Sequence, residues 1–224
     1  MHSGASATGR TNHMIGIVDY KAGNLTSVAR ALAFLNEPCV VTDDCKILDR
    51  ASHIIFPGVG AAGTAMANLR EKGLDDHLRL WVQNNKPVLG ICLGSQVIFD
   101  SSEEDDTACL GIVPGVVKRF PPDVRGEDGP LKIPHMGWNS VDFPRRHPVF
   151  ADISRDAEFY FVHSYYTAPD DESVVAGWTD YGMRFCSAVA RGSLVAVQFH
   201  LEKSGRPGLT LLTNFCRWRG DYAE

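Results

Sequence analysis

Short apolar runs alternating with stretches of helical spacing fill the first half of this chain, and they limit its fold more than any other feature. Ile15-Gly-Ile-Val-Asp19 is a brief apolar run that ends in a turn. Asn24 then caps a helical stretch, with Leu25, Val28, Ala29, Leu32 and Leu35 on one face at spacings of three and four. Val40-Val41 and His53-Ile-Ile-Phe56 read as the second and third strands, the third broken by Pro57-Gly58. Leu74, Leu78, Trp81 and Val82 mark a further helix, which stops before Pro87. Val88-Leu-Gly-Ile91 reads as a strand buried on both faces, and Ser95 to Phe99 as the start of the helix after it. Such alternation predicts an open, mostly parallel sheet with helices on both faces.

The second half changes character. Val116 to Arg119, Phe159 to Val162, Val174 to Trp178 and Phe185 to Ala190 are closely spaced strand-like runs, which predict an antiparallel or mixed extension of the sheet. Leu194 to Phe199 reads as one more core strand, and Pro207 opens a last helix with Leu211, Phe215 and Trp218 inward. Pro121 to Pro130 is the loop-rich stretch, and no internal repeat is visible.

A chain of 224 residues suffices for one α/β domain with a full core, and one domain over 14–220 is the simplest reading. Met1 to His13, rich in Gly, Ser, Ala and Thr, reads as a disordered leader without the apolar stretch of a secretory signal. No apolar run approaches the roughly 18 to 20 residues of a membrane span. The formal charge of −5 argues against nucleic acid or an anionic membrane as the main partner. Cys39, Cys45, Cys92, Cys109, Cys186 and Cys216 are scattered, without a C-x-x-C pair. They point to free thiols in a reducing, cytoplasmic setting; neither a metal site nor a cofactor is expected.

One thiol stands apart. Gly90-Ile-Cys-Leu-Gly94 lies between an apolar strand and a helix start, as the cysteine counterpart of the G-x-S-x-G nucleophile elbow. Glycines two residues to either side let strand and helix approach while Cys92 occupies a strained, exposed turn. The helix N-terminus then favours a thiolate, and the Leu93 N–H points into the same space as an oxyanion donor. By itself the pentapeptide fits a buried cysteine in a glycine-rich turn equally well. His200-Leu-Glu202 follows the last apolar strand, which puts an imidazole at the carboxyl edge of the sheet with a carboxylate two residues on to fix its tautomer. Pro57-Gly-Val-Gly60 ends another strand, where glycine lets a peptide N–H turn toward a developing oxyanion. Nucleophile, base, orienter and oxyanion donors together are what acyl transfer through a thioester requires.

The order Pro57-Gly-Val-Gly60, Gly90-Ile-Cys-Leu-Gly-Ser-Gln96 and Gln198-Phe-His-Leu-Glu-Lys-Ser204 resembles the class I (triad) glutamine amidotransferases. Within them the chain is similar to the glutaminase subunits of imidazole glycerol phosphate synthases. Asp19-Tyr-Lys-Ala-Gly-Asn-Leu-Thr-Ser-Val28, Lys132-Ile-Pro-His-Met-Gly-Trp-Asn139 and Tyr160-Phe-Val-His-Ser-Tyr165 carry that narrower match, which runs from about Ile15 to Phe215. The resemblance implies a flavodoxin-like open sheet. By position it implies Cys92 as nucleophile, His200 as base and acid, and Glu202 as the group holding the ring. It implies Val59 and Gly60, with Leu93, around the oxyanion, and Gly58, Gln96, Ser164 and Tyr165 around substrate glutamine. The implied partner is a (β/α)₈-barrel cyclase that receives the ammonia, with Asn24, Trp138, Tyr160 and Lys203 at the mouth facing it.

The chain departs from that pattern in two places. Leu201 stands where the family has Pro between the triad His and Glu, and Ser95 where Met is common. His135 and His163, in tight aromatic and glycine contexts, read as groups that satisfy the local backbone; the remaining cysteines read as inert. Glu103 to Asp106 reads as a solvated loop. The residues leave open a glutaminase serving a different synthase, a stand-alone cysteine hydrolase of the same fold, and a binding subunit without activity.

Overall fold

The computed structural model describes residues 13–21, 23–127 and 129–221. The stretch read as a leader therefore lies outside the described residues, save for His13, whose ring nitrogens lie 3.0 Å from Glu37 and 3.4 Å from Ser52 Oγ.

The first half builds strands β1 (Ile15–Val18), β2 (Cys39–Thr42), β3 (His53–Gly58) and β4 (Val88–Cys92). Between and after them come helices α1 (Leu25–Phe34), α2 (Cys45–Leu48), α3 (Ala62–Glu71), α4 (Leu74–Gln83) and the single turn α5 (Leu93–Gln96). The second half adds β5 (Ser101–Ser102), β6 (Thr107–Ala108), β7 (Gly115–Arg119), β8 (Arg125–Gly126), β9 (Gly129–Pro130) and β10 (His135–Ser140). It continues with β11 (Glu158–His163), β12 (Tyr165–Pro169), β13 (Val175–Asp180), β14 (Arg184–Arg191), β15 (Leu194–Val197) and α6 (Gly205–Arg217).

The main sheet runs β2-β1-β3-β4-β15-β14-β12-β7-β5-β6, with β13 on β14. From β2 to β15 all neighbours are parallel; beyond β15 the pairs are antiparallel except β5 on β7. The opening order 2-1-3-4 is flavodoxin-like. Burial explains the parallel half. Ile15, Ile17, Ile55, Leu89 and Ile91 face α1 and α6 through Val28, Leu32, Leu211 and Phe215. Val18, Ile54, Phe56 and Val88 face α3 and α4 through Ala65, Met66, Leu69, Leu78 and Trp81. Successive side chains of a strand point to opposite faces, so covering both faces demands wholly apolar runs. Each such side chain removed from water contributes roughly 1.5–3 kcal/mol. Among the described residues no helix is long and apolar enough to cross a membrane.

Several expectations need correction. Pro57-Gly58 does not break the third strand: β3 continues through it, with Gly58 opposite Cys92. Proline is tolerated there because β1 pairs with β3 only as far as Ile55, which leaves Pro57 beside a single neighbouring strand. The helix after the elbow is one turn long, because the chain beyond Val97 turns to bond the segment after β6 (Leu110 N to Val97 O, Ile112 and Val113 N to Ile98 O). Phe159 to Val162 belongs to a separate hairpin, β10–β11, rather than to the main sheet. Asn24 precedes α1 without capping it by its side chain, which is drawn instead to Glu202. The acidic run is no free loop: Glu104 accepts the Ala62 N–H at the start of α3 (2.7 Å), and Glu103 accepts that of Arg119 (2.7 Å). Helix α3 itself escaped the sequence reading, since half of its inner face, Ala62 and Ala65, is alanine.

Candidate active site

Cys92 closes β4 with φ 53° and ψ −112°, a left-handed conformation that costs a non-glycine residue on the order of 1–3 kcal/mol. Its neighbours hold it there. A Cβ on Gly94 would collide with the Phe56 carbonyl oxygen of the adjacent strand, so only glycine permits that approach. Ser95 donates its hydroxyl to the Cys92 carbonyl (2.7 Å). Behind the elbow, the Tyr20 hydroxyl is buried without a partner against Gly58; burial, then the nearby Cys92 charge, pushes its pKa far up.

His200 follows β15, the parallel neighbour of β4, so the sheet itself brings the two strand ends together. The His200 Nδ1 lies 2.8 Å from Glu202 Oε1, and Asn24 Nδ2 approaches the same oxygen at 3.5 Å. The other ring nitrogen, Nε2, is buried and faces Cys92, so this carboxylate-held ring turns its second nitrogen to the sulfur. Burial opposes charge on the ring, but bonds and charges from Cys92 and Glu202 outweigh it and raise the imidazole to about 9. An imidazolium so held is a counter-ion for a thiolate.

Leu201 is fully buried and opens a short 3₁₀ turn, Leu201–Lys203. Rigidity comes from elsewhere in this chain. Ser204 Oγ donates to the His200 carbonyl (2.5 Å) and accepts the Tyr160 N–H (3.0 Å), while the His200 N–H donates to the Tyr160 carbonyl (2.9 Å). Those bonds tie the histidine to β11 without proline.

A cavity of about 340 Å³ opens over the thiol, lined among others by Val59, Gly60, Cys92, Leu93, Gln96, Glu104, Ser164, Tyr165 and His200. Gly60 has φ 96°, the freedom expected of a loop that turns its peptides. Gly58 does not line the cavity; it is buried between Tyr20 and Leu93. Glu104 is a lining residue that sequence reasoning missed, because an acidic run on a loop carries no local sign of which cavity it borders. A larger cavity along Ser140–Arg155, about 1170 Å³, contains none of these groups.

His163 and His135 stand beside the cavity as a fixed neutral pair. A carbonyl only accepts, so His163 Nδ1 carries the proton given to Tyr165 O (2.8 Å), and its Nε2 accepts from His135 Nδ1 (2.9 Å). Asn139 Nδ2 then serves His135 Nε2 (3.3 Å). Burial lowers the two rings to about 3 and about 4. Burial likewise pushes the thiols of Cys39 and Cys45 up, Cys109 to about 11, and Cys186 and Cys216 to about 12. A raised thiol pKa disfavours the nucleophilic thiolate in all five.

On the rim, Trp138 and Tyr160 pair across the hairpin with ring centroids 6.0 Å apart, and Lys203 Nζ lies 5.7 Å from the Tyr160 ring. Trp138 is 54 % and Met136 61 % exposed, both on the outer face of β10. Trp138 is not a core aromatic. Among the described residues no His, Cys, Asp and Glu are grouped to hold a metal ion.

A cysteine elbow beside a carboxylate-held imidazole, both at the carboxyl edge of an open parallel sheet, is the layout of enzymes that transfer acyl groups through a thioester. The family model for class-I glutamine amidotransferases matches residues 17–218, and the chain belongs to that family. It is 52 % identical over 212 residues to the imidazole glycerol phosphate synthase subunit HisH of Nitratidesulfovibrio vulgaris, covering 94 % of this chain and 99 % of that relative. HisH of Moorella thermoacetica is 49 % identical over 202 residues, 90 % of this chain and 93 % of the relative. Among solved structures, PurLQS from Thermotoga maritima aligns with a TM-score of 0.68 at 16 % identity, over 92 % of this chain and 98 % of that one. At that identity the likeness speaks for the fold alone.

Proposed function

We propose that this chain is the glutaminase subunit of an imidazole glycerol phosphate synthase, working in the cytoplasm beside a barrel-shaped cyclase that takes its ammonia. The observation that carries the reading is the meeting of Cys92 with the Glu202-held His200 over a cavity with room for glutamine. The high identity to HisH subunits over nearly their full length supports the choice of pathway.

The Cys92 sulfur attacks the side-chain amide carbon of glutamine. His200, having taken the thiol proton, passes it to the leaving nitrogen, and ammonia departs. Water, deprotonated by His200, then cleaves the thioester to release glutamate and restore the thiol. The N–H groups near Val59, Gly60 and Leu93 hold the oxyanion at each tetrahedral stage. Gln96, Ser164 and Tyr165 border the remainder of the substrate, and Glu104 supplies a carboxylate for its α-ammonium. The Asn24, Trp138, Tyr160 and Lys203 rim meets the cyclase, and occupancy of that partner sets the Gly58–Gly60 peptides.

The test is glutamate release from glutamine by this chain, alone and with a ligand-bound barrel cyclase. Strong stimulation supports the proposal. Activity indifferent to the cyclase rules out that partner and keeps the thiol chemistry; none in either case removes the glutaminase reading.

A further inference from the structure

Two buried amides join the substrate cavity to the nucleophile, and their polarity follows from one backbone carbonyl. The Tyr165 oxygen can only accept, so Gln96 presents its amide nitrogen to it (3.0 Å). The second hydrogen on that nitrogen reaches Gln198 Oε1 at 2.9 Å. The Gln198 amide is thereby turned with its nitrogen toward Cys92, Nε2 to Sγ 3.8 Å. Gln198 is 1 % exposed, so water offers no competing partner. Its backbone N–H is held by the Ser187 carbonyl (2.9 Å), and Phe199, wholly buried, anchors the chain between it and His200. The two residues flanking Phe199 thus both reach the thiol.

We infer that Gln198 is a hydrogen-bond donor to the Cys92 sulfur that favours its thiolate, aimed by Gln96 and the Tyr165 carbonyl. This rests on the reading of Cys92 as nucleophile. An N–H bond to sulfur is weak for a thiol and strengthens as the sulfur gains charge, so the donor stabilises the reactive form selectively. Because Gln96 also lines the cavity, a ligand that moves Gln96 changes the aim of the donor. The charged and titratable groups around the sulfur are His200 and Glu202 after β15, Tyr20 after β1, Glu104 before β6 and His163 on β11. Gln198 adds to their field a donor that does not titrate.

The experiment is the pH dependence of Cys92 alkylation by iodoacetamide, read by peptide mapping, in the full wild-type chain, Gln198→Met and Gln198→Glu. Removing the donor in Gln198→Met raises the alkylation midpoint by about one pH unit, so labelling at pH values below the wild-type midpoint slows about tenfold. Gln198→Glu keeps the acceptor for Gln96 and nearly the same volume, and slows labelling further; it provides the same readout should the first variant not fold. An unchanged midpoint in a folded variant overturns the inference, even if the KM for glutamine rises, since that pattern marks a merely structural amide. Absence of glutaminase activity in the wild type defeats the functional reading and leaves this labelling test intact.

Discussion

The carboxylate of Glu202 lies 2.8 Å from the Nδ1 of His200, and at most 2 % of either side chain meets solvent. That bond fixes the proton on Nδ1 and directs Nε2 at Cys92. Glu202→Gln keeps the shape and removes the charge. The expected result is a fall in kcat for glutamine hydrolysis of at least about a hundredfold with KM little changed. Steady-state glutamate release measures it, and an unaltered kcat would take Glu202 out of the site.

Ser204 reaches the same histidine from its backbone side, bridging the His200 carbonyl and the Tyr160 N–H. Ser204→Ala removes the acceptor of the part-buried Tyr160 N–H, which costs about 1 kcal/mol. Denaturant unfolding should register that loss together with a lower kcat. Wild-type stability in this variant would mean that Leu201 and its turn position the ring without help.

Gly94 meets the Phe56 carbonyl where β3 and the elbow touch. Backbone cannot move aside as a flexible side chain can, so Gly94→Ala should destabilise the fold by roughly 1–3 kcal/mol or more and abolish glutaminase activity. Thermal unfolding and activity are to be read together. A variant that keeps both would show that the elbow has slack.

Stability should peak near neutral pH, for opposing reasons. His163 is lowered to about 3, so the stability it contributes is present above its unfolded pKa of about 6.5 and is lost as pH falls toward its folded value. At pH 5 the loss is about 2 kcal/mol from this ring. His200 is raised to about 9, so its contribution is complete below about 6.5 and is lost as pH rises through about 9. Unfolding temperatures across pH 5 to 9.5 test both limbs. His163→Asn should make the acid limb shallower, though His135 and His147, both lowered to about 4, still contribute to it, and should leave the alkaline limb alone; an unchanged acid slope in that variant would contradict the neutral, buried ring.

Much of this molecule is legible in its residues. The parallel strands were visible because burial on two faces forces runs such as Val88–Ile91, and the α4 helix because its apolar residues fall on one stripe. The elbow was visible through its glycines, and His200 and Glu202 through their place after an apolar strand. Helix α3 was not, since Ala62 and Ala65 give a weak apolar signal yet sit deep beneath the sheet. The length of the elbow helix was hidden too, because the bonds that end it come from residues beyond Cys109.

Local patterning by itself picked out the candidate residues for the chemistry: a cysteine between glycines, a histidine and a carboxylate two apart, glycines after a strand. Spacing and backbone freedom act over a few residues, so neighbours encode them. Only the tertiary structure decided that β15 lies against β4, which brings residues more than a hundred positions apart into one site. It likewise set Gln198 against the sulfur, Ser204 behind the histidine and Glu104 at the cavity. Strand order is chosen by burying both faces of the whole sheet at once, and no single stretch of chain contains that sum.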